Sequence, residues 1–209
     1  TYKAVGELLV KFQPMMYEGE YGYLESWIKT RQVSSPRLLI KDHKGRRADG
    51  HYKTRLLVPA TNFTQGFAKI AYKTIKVMFD NNGVKYCTRT ITQASHLKSQ
   101  LEKLPLTSSN ATIASLDIEN MYPSIKSRLV LSAINFYSER FNEEEMERID
   151  AALEMLKFSM RNTIISFADK YYEFGTSDDP MEQGHAIGGY ESAWLADLVA
   201  SYVLDKAKV

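Results

Sequence analysis

Ser115-Leu116-Asp117-Ile118-Glu119-Asn120-Met121-Tyr122-Pro123-Ser124-Ile125 is the stretch on which the architecture turns. It closes an apolar run, residues 112–118, whose pattern predicts a short buried strand with Asp117 near its end. A carboxylate is costly to desolvate unless a cation or hydrogen-bond donors meet it. Asp117 therefore reads either as a ligand for positive charge or as a turn or helix cap. Pro123 ends the run, and a helix of about fifteen residues is expected to follow.

On the N-terminal side, residues 37–41 and 55–58 are short apolar runs with basic flanks. Between them lies Lys44-Gly45-Arg46-Arg47-Ala48-Asp49-Gly50, a turn-rich basic stretch. Together they predict a β-hairpin with a long, positively charged tip. Residues 63–80 place Phe67, Ile70, Ala71, Ile75 and Met78 at helical spacing. Residues 92–104 repeat the pattern with Ala94, Leu97, Leu101 and Leu104 on one face. The first 35 residues mix aromatic and charged side chains and read as irregular plus helical. On the C-terminal side, Asn142 followed by Glu145 predicts a capping box, and the run through Glu143, Glu144, Glu145 and Glu147 reads as a solvated helix start. Residues 163–174 alternate around Asp169-Lys170 as a hairpin would. After a loop with Gly184, Gly188 and Gly189, residues 192–206 read as a helix. The order is α+β, with functional residues on loops beside strands.

The composition, 44% hydrophobic and 25% charged, is that of an ordinary globular chain. No apolar run approaches the roughly 18 residues that span a bilayer, and Thr1-Tyr2-Lys3-Ala4 lacks a signal-peptide pattern. Cys87 is the single cysteine, which excludes a disulfide framework and a cysteine-based zinc site and fits a reducing intracellular compartment. The net charge of +2 hides an asymmetry. Residues 1–110 carry 18 Lys/Arg and 8 Asp/Glu, a balance of +10, whereas residues 111–209 carry 9 and 17, a balance of −8. A basic half of this kind attracts phosphates, while an acidic half holds cations or is simply solvated.

Three strings in order resemble the reverse transcriptase family. The stretch around Asp117 resembles its first palm motif, in which the Asp and the next backbone carbonyl bind magnesium; Asp117 and Ile118 stand in those places. Tyr122 stands where the family sets an aromatic ring against the sugar of the incoming nucleotide, which favours deoxynucleotides. RNA-templated RNA polymerases usually carry a second Asp near this point. Glu182-Gln183-Gly184-His185-Ala186-Ile187-Gly188-Gly189-Tyr190-Glu191-Ser192-Ala193-Trp194-Leu195-Ala196-Asp197 resembles the glycine-rich palm motif, with Ala193 where proline is usual. Leu38-Leu39-Ile40-Lys41-Asp42-His43-Lys44, followed by Lys53-Thr54-Arg55-Leu56-Leu57-Val58, resembles the fingers hairpin. Its style is nearest that of Penelope-like retroelement enzymes, with Ile40 replacing a proline. The hairpin around Asp169 resembles the one that precedes the glycine motif.

The resemblance implies an α+β right-hand polymerase: fingers and partial palm, with the thumb absent. Fingers would occupy 1–80, with the basic hairpin at about 37–58, and 127–180; palm would occupy 81–126 and 181–209. It implies an RNA-directed DNA polymerase acting by two-metal phosphoryl transfer, with Asp117 catalytic and Asp117 and Ile118 on the metal. Lys41, Lys44, Lys53, Arg55, Tyr122, Gln183 and Gly184 would bind nucleotide. The cofactor would be two Mg2+ ions, with Mn2+ able to substitute, and the partners an RNA template, a DNA primer and deoxynucleoside triphosphates, with no membrane. A eukaryotic retroelement would place it in the nucleus. The family's aromatic-x-Asp-Asp string does not occur in the 209 residues; Asp178-Asp179 precedes the glycine motif and reads as a loop. The chain by itself is therefore expected to be inactive. The alternatives are a non-catalytic nucleic-acid-binding module of the same architecture and an RNA-directed RNA polymerase.

Overall fold

The computed structural model describes residues 2–30, 33–41, 45–86, 91, 93–104, 115, 117–118, 121–173, 179, 181–182, 184–185 and 187–207. Helices form the core and two small hairpins stand at its edge, an α+β arrangement.

Two long helices build the centre. Helix α3 (Gln65–Asn81) buries Phe67, Ile70, Ala71, Ile75 and Met78, as their spacing predicts. Helix α7 (Glu143–Arg161) meets it with Ile149, Ala152, Leu153 and Leu156. Phe67 is fully buried and stands edge-on to Phe158, ring centroids 5.1 Å apart. The start of α7 is fixed by the predicted capping box: the Glu145 amide donates to Asn142 Oδ1 at 3.0 Å, and the Asn142 amide donates to Glu145 Oε2 at 3.0 Å. Reciprocal bonds of this kind satisfy two helix-start amides that have no partner inside the helix.

Helix α1 (Tyr2–Phe12) buries Val5, Leu9 and Phe12, three positions one helical turn apart. A short 3-10 turn at Gln13–Met15 leads to α2 (Glu20–Thr30), which buries Leu24, Trp27 and Ile28 against α3. Helix α4 is Ala94–Glu102 and α5 is the single turn Met121–Ser124. Helices α6 (Ser127–Ser138) and α8 (Ser192–Ala207) pack together, and the Tyr137 hydroxyl donates to Asp205 Oδ2 at 2.6 Å. Phe79 of α3 joins this pair to the centre through its rings' contacts with Tyr137, Phe141 and Trp194. One hydrophobic core thus draws on residues from Val5 to Val199.

Strand β1 (Arg37–Ile40) pairs antiparallel with β2 (Thr54–Leu57), with Arg37 opposite Leu57 and Ile40 opposite Thr54. Beyond it the basic tip is ordered by backbone: the Lys41 amide donates to Lys53 O at 2.8 Å and the Arg47 amide to His51 O at 2.7 Å. Arg46 lies over the Tyr52 ring, 4.8 Å from its centroid. Strands β3 (Ile164–Phe167) and β4 (Lys170–Glu173) form the second hairpin. Its two-residue turn is Ala168-Asp169, both with positive φ (50° and 59°), one position earlier than alternation predicts. A turn with two positive φ angles matches the twist of the flanking strands. The Ser166 amide donates to Ser34 O at 2.9 Å, so β3 is tied to the segment leading into β1.

One sequence expectation fails. The run 112–118 is not a buried strand where it is described: Ser115, Asp117 and Ile118 belong to no strand, and Ile118 is 59% exposed. A strand needs a hydrogen-bonded neighbour, and neither described sheet extends beyond its two hairpin strands. Residues 112–114 and 116 lie outside the described residues. In α4 the predicted apolar face exists, but Leu97 and Leu101 are exposed, as is Leu104 just beyond it. Periodicity reports which residues share a face, not what covers it. In place of one helix after Pro123 there is a single turn that contains it, α5, and then the 12-residue α6. No described helix is long and apolar enough to cross a membrane.

Candidate nucleotide-binding site

The glycine segment 184–191 is held from three sides by backbone. Its start is fixed to α6, where the Arg128 amide donates to Met181 O at 3.1 Å and Arg128 Nε meets Glu182 Oε1 at 2.9 Å. The His185 amide then donates to Tyr122 O at 3.1 Å. Gly184 is pressed against the same turn: a Cβ on it would overlap the Pro123 carbonyl oxygen and lie 2.7 Å from that carbonyl carbon. No other residue fits there without moving main chain. Further along, the Val58 amide at the end of β2 donates to Ile187 O at 2.8 Å. Gly188 has φ of +112°, and a Cβ on it would overlap the Val58 carbonyl oxygen.

These contacts bring together three stretches far apart in sequence: the turn at Tyr122–Pro123, the glycine segment and the base of the basic hairpin. Tyr122 is half-buried, with its ring packed against the core. Gly184 is buried. Lys53 and Arg55 are exposed on the hairpin and Lys41 is half-buried beside Lys53. Lys44 and Gln183 lie outside the described residues. Asp178 does too, whereas Asp179 accepts from the Met181 amide at 2.9 Å, as a loop aspartate does.

Asp117 and Ile118 are exposed and lie in no helix or strand. An exposed carboxylate beside a main-chain carbonyl suits one hard cation that keeps most of its water. Two ions held in register need more carboxylates. Among the described residues no cluster of three or more His, Cys, Asp or Glu side chains could hold a metal.

Behind the glycine segment lies a buried polar cluster that the strings do not announce. The Tyr190 amide donates to Gln65 Oε1 at 3.1 Å, and Gln65 Nε2 donates to Ser159 Oγ at 3.4 Å, which links the segment to α3 and α7. Asn62 Nδ2 donates to Ile164 O at 2.8 Å, while its own carbonyl accepts from Trp27 Nε1 at 3.1 Å. His185 and Glu191 are each 4% exposed. Burial pushes His185 down to about 4, so its ring is neutral near pH 7. Burial also raises Glu191, opposed by hydrogen bonds from its own backbone and from Gln65. On the outer side, Lys69 Nζ stands 4.9 Å from the Tyr23 ring, 5.7 Å from Trp27 and 5.0 Å from Tyr190, a cation enclosed by three aromatic faces. His185, Glu191 and Tyr190 fall inside the glycine string, but a linear pattern carries no signal of burial; Gln65 and Lys69 had none at all.

Compared with protein-family models, with curated proteins and with solved structures, the chain gives no match in any of the three.

Proposed function

We propose that this chain is the fingers and partial palm of an RNA-directed DNA polymerase, carrying the nucleotide pocket and one part of the metal centre. The observation that supports this most is the meeting of Tyr122–Pro123, Gly184–Gly188 and Val58, the three stretches that resemble the family's nucleotide pocket. Glycines there let backbone approach a base and sugar closely. The half-buried Tyr122 ring is backed by the core, and a backed ring can exclude a 2′-hydroxyl. Lys41, Lys53 and Arg55, with Lys44, provide cations on a hairpin whose base is anchored to the same pocket. Such cations offset charge on a triphosphate as it moves to the leaving pyrophosphate.

Magnesium, when bound, would neutralise the phosphates and activate the primer hydroxyl; Asp117 and the Ile118 carbonyl would hold one ion. The partners follow: an RNA template, a DNA primer and deoxynucleoside triphosphates. The test is primer extension by a longer chain that includes an aromatic-x-Asp-Asp string, with the 209-residue chain as its control. Extension should appear in the longer chain only and vanish in Asp117→Ala. Tyr122→Val should raise ribonucleotide use relative to deoxynucleotide use. Extension that persists in Asp117→Ala would remove the proposal.

A further inference from the structure

Beyond the polymerase reading, and independent of it, the cluster behind the glycine segment lines a small polar cavity. Nε2 of His185 and Oε2 of Glu191 are buried and have no hydrogen-bond partner among the described residues. Both side chains line one cavity of about 20 Å³, walled also by Asn62, Gln65, Thr163 and Gly184. That volume exceeds the roughly 10–15 Å³ that one water requires. The wall is polar, and buried polar atoms are costly when unpaired. A divalent cation fits poorly, because one carboxylate in a buried site leaves most of its charge uncompensated. Asn62 and Gln65 already spend their side-chain oxygens on the Thr64 and Tyr190 amides.

We propose that one water molecule occupies this cavity, bridges His185 Nε2 to Glu191 Oε2, and positions the glycine segment against α3. The two residues flank the segment: His185 is bonded to Tyr122 O at one end, and Glu191 precedes α8 at the other. A shared water fastens both ends to the same wall. With a neutral imidazole the water donates to Nε2, and its remaining hydrogen and lone pairs let it accept from a protonated carboxyl or donate to an ionised one. Among the described residues, His185 and Glu191 are the titratable groups lining the cavity.

Ionisation of Glu191 places a charge in a buried wall, so the stability of the cluster falls as pH rises. The folded state keeps Glu191 protonated above the 4.5 of the free group. Its contribution is thus complete below 4.5 and is lost as pH rises through the raised folded value.

The test uses the full chain, with Glu191→Gln as an isosteric neutral variant and Glu191→Leu as one that deletes the polar atom. Thermal unfolding from pH 5 to pH 9 should show the parent losing several degrees more than Glu191→Gln, about 3 °C or more. Nuclear Overhauser cross-peaks should connect a long-lived water to the His185 ring in the parent and in Glu191→Gln. Glu191→Leu should lose them and speed amide exchange at Tyr190 at least tenfold. Parallel pH curves for parent and Glu191→Gln would overturn the proposal, as would the absence of a water cross-peak to His185 in the parent. Both readouts survive if Glu191→Leu does not fold. Neither involves polymerisation, so failure here would leave the polymerase reading standing, and the reverse.

Discussion

The glycine segment and the stretch around Asp117 are the two strings that the sequence singles out, yet they fare differently in the fold. The glycine segment is enclosed: Gly184 is pressed on Pro123, Gly188 on Val58, and His185 and Glu191 are buried behind them. Asp117 and Ile118 are exposed and belong to no regular element. The difference teaches that a motif's geometry is built by what lies beside it. The glycine segment finds its neighbours in α3, α6 and the end of β2. The Asp117 stretch, which its apolar run casts as a strand, pairs with no described strand.

That contrast can be broken by substitution, and the largest effect should come from Gly184→Ala. The added Cβ meets main chain at Pro123 rather than a movable side chain. We expect a loss of about 3 kcal/mol or more in urea unfolding, the cost of overpacking against an immovable neighbour. A loss below about 1 kcal/mol would mean that the turn at Pro123 yields easily. Gly188→Ala comes next, at about 2–3 kcal/mol, because it combines a positive φ with overlap at the Val58 carbonyl. Its measurable signature is faster exchange of the Val58 amide, whose partner is Ile187 O.

Acid sharpens the comparison from another side. His185 has its folded value depressed to about 4 from an ordinary 6.5, so its contribution is present above 6.5 and is lost as pH falls through the folded value. Relative to His185→Gln, the parent should lose about 2 kcal/mol between pH 7.5 and pH 5. Chemical denaturation of both proteins at the two pH values checks this, and an equal loss in both would show that His185 is solvated. The smallest effect should be Asp117→Ala, within about 0.5 kcal/mol of the parent in the same measurement. A destabilisation near that of the glycine substitutions would show that the exposed carboxylate holds the fold together.

Much of the helical frame is legible in the sequence because its signals are local. Asn142 and Glu145 are three residues apart and cap α7 by bonds between themselves. The apolar positions of α3 share one face at any position in the fold, and the basic stretch between 41 and 53 can do little but turn back on itself. Hairpin β1–β2 follows from that, as does α8 after the last glycine. Where sequence reasoning fails, the missing information is long-range. Residues 112–118 needed a partner strand, which alternation does not encode.

The sequence by itself determined helices α3, α4, α7 and α8 and both hairpins, where α7 begins, and that the N-terminal half carries the positive charge. Only the tertiary structure decided that Gly184 must be glycine on account of Pro123, 61 positions earlier in the chain by its numbering. It also decided that Gln65 ties the glycine segment to α7 and that His185 and Glu191 are buried with unsatisfied atoms facing one cavity. The physical reason is one of range. Caps, turns and amphipathic periods are settled by neighbours within a turn or two, whereas steric exclusion and desolvation depend on atoms that the chain brings close only after it has folded.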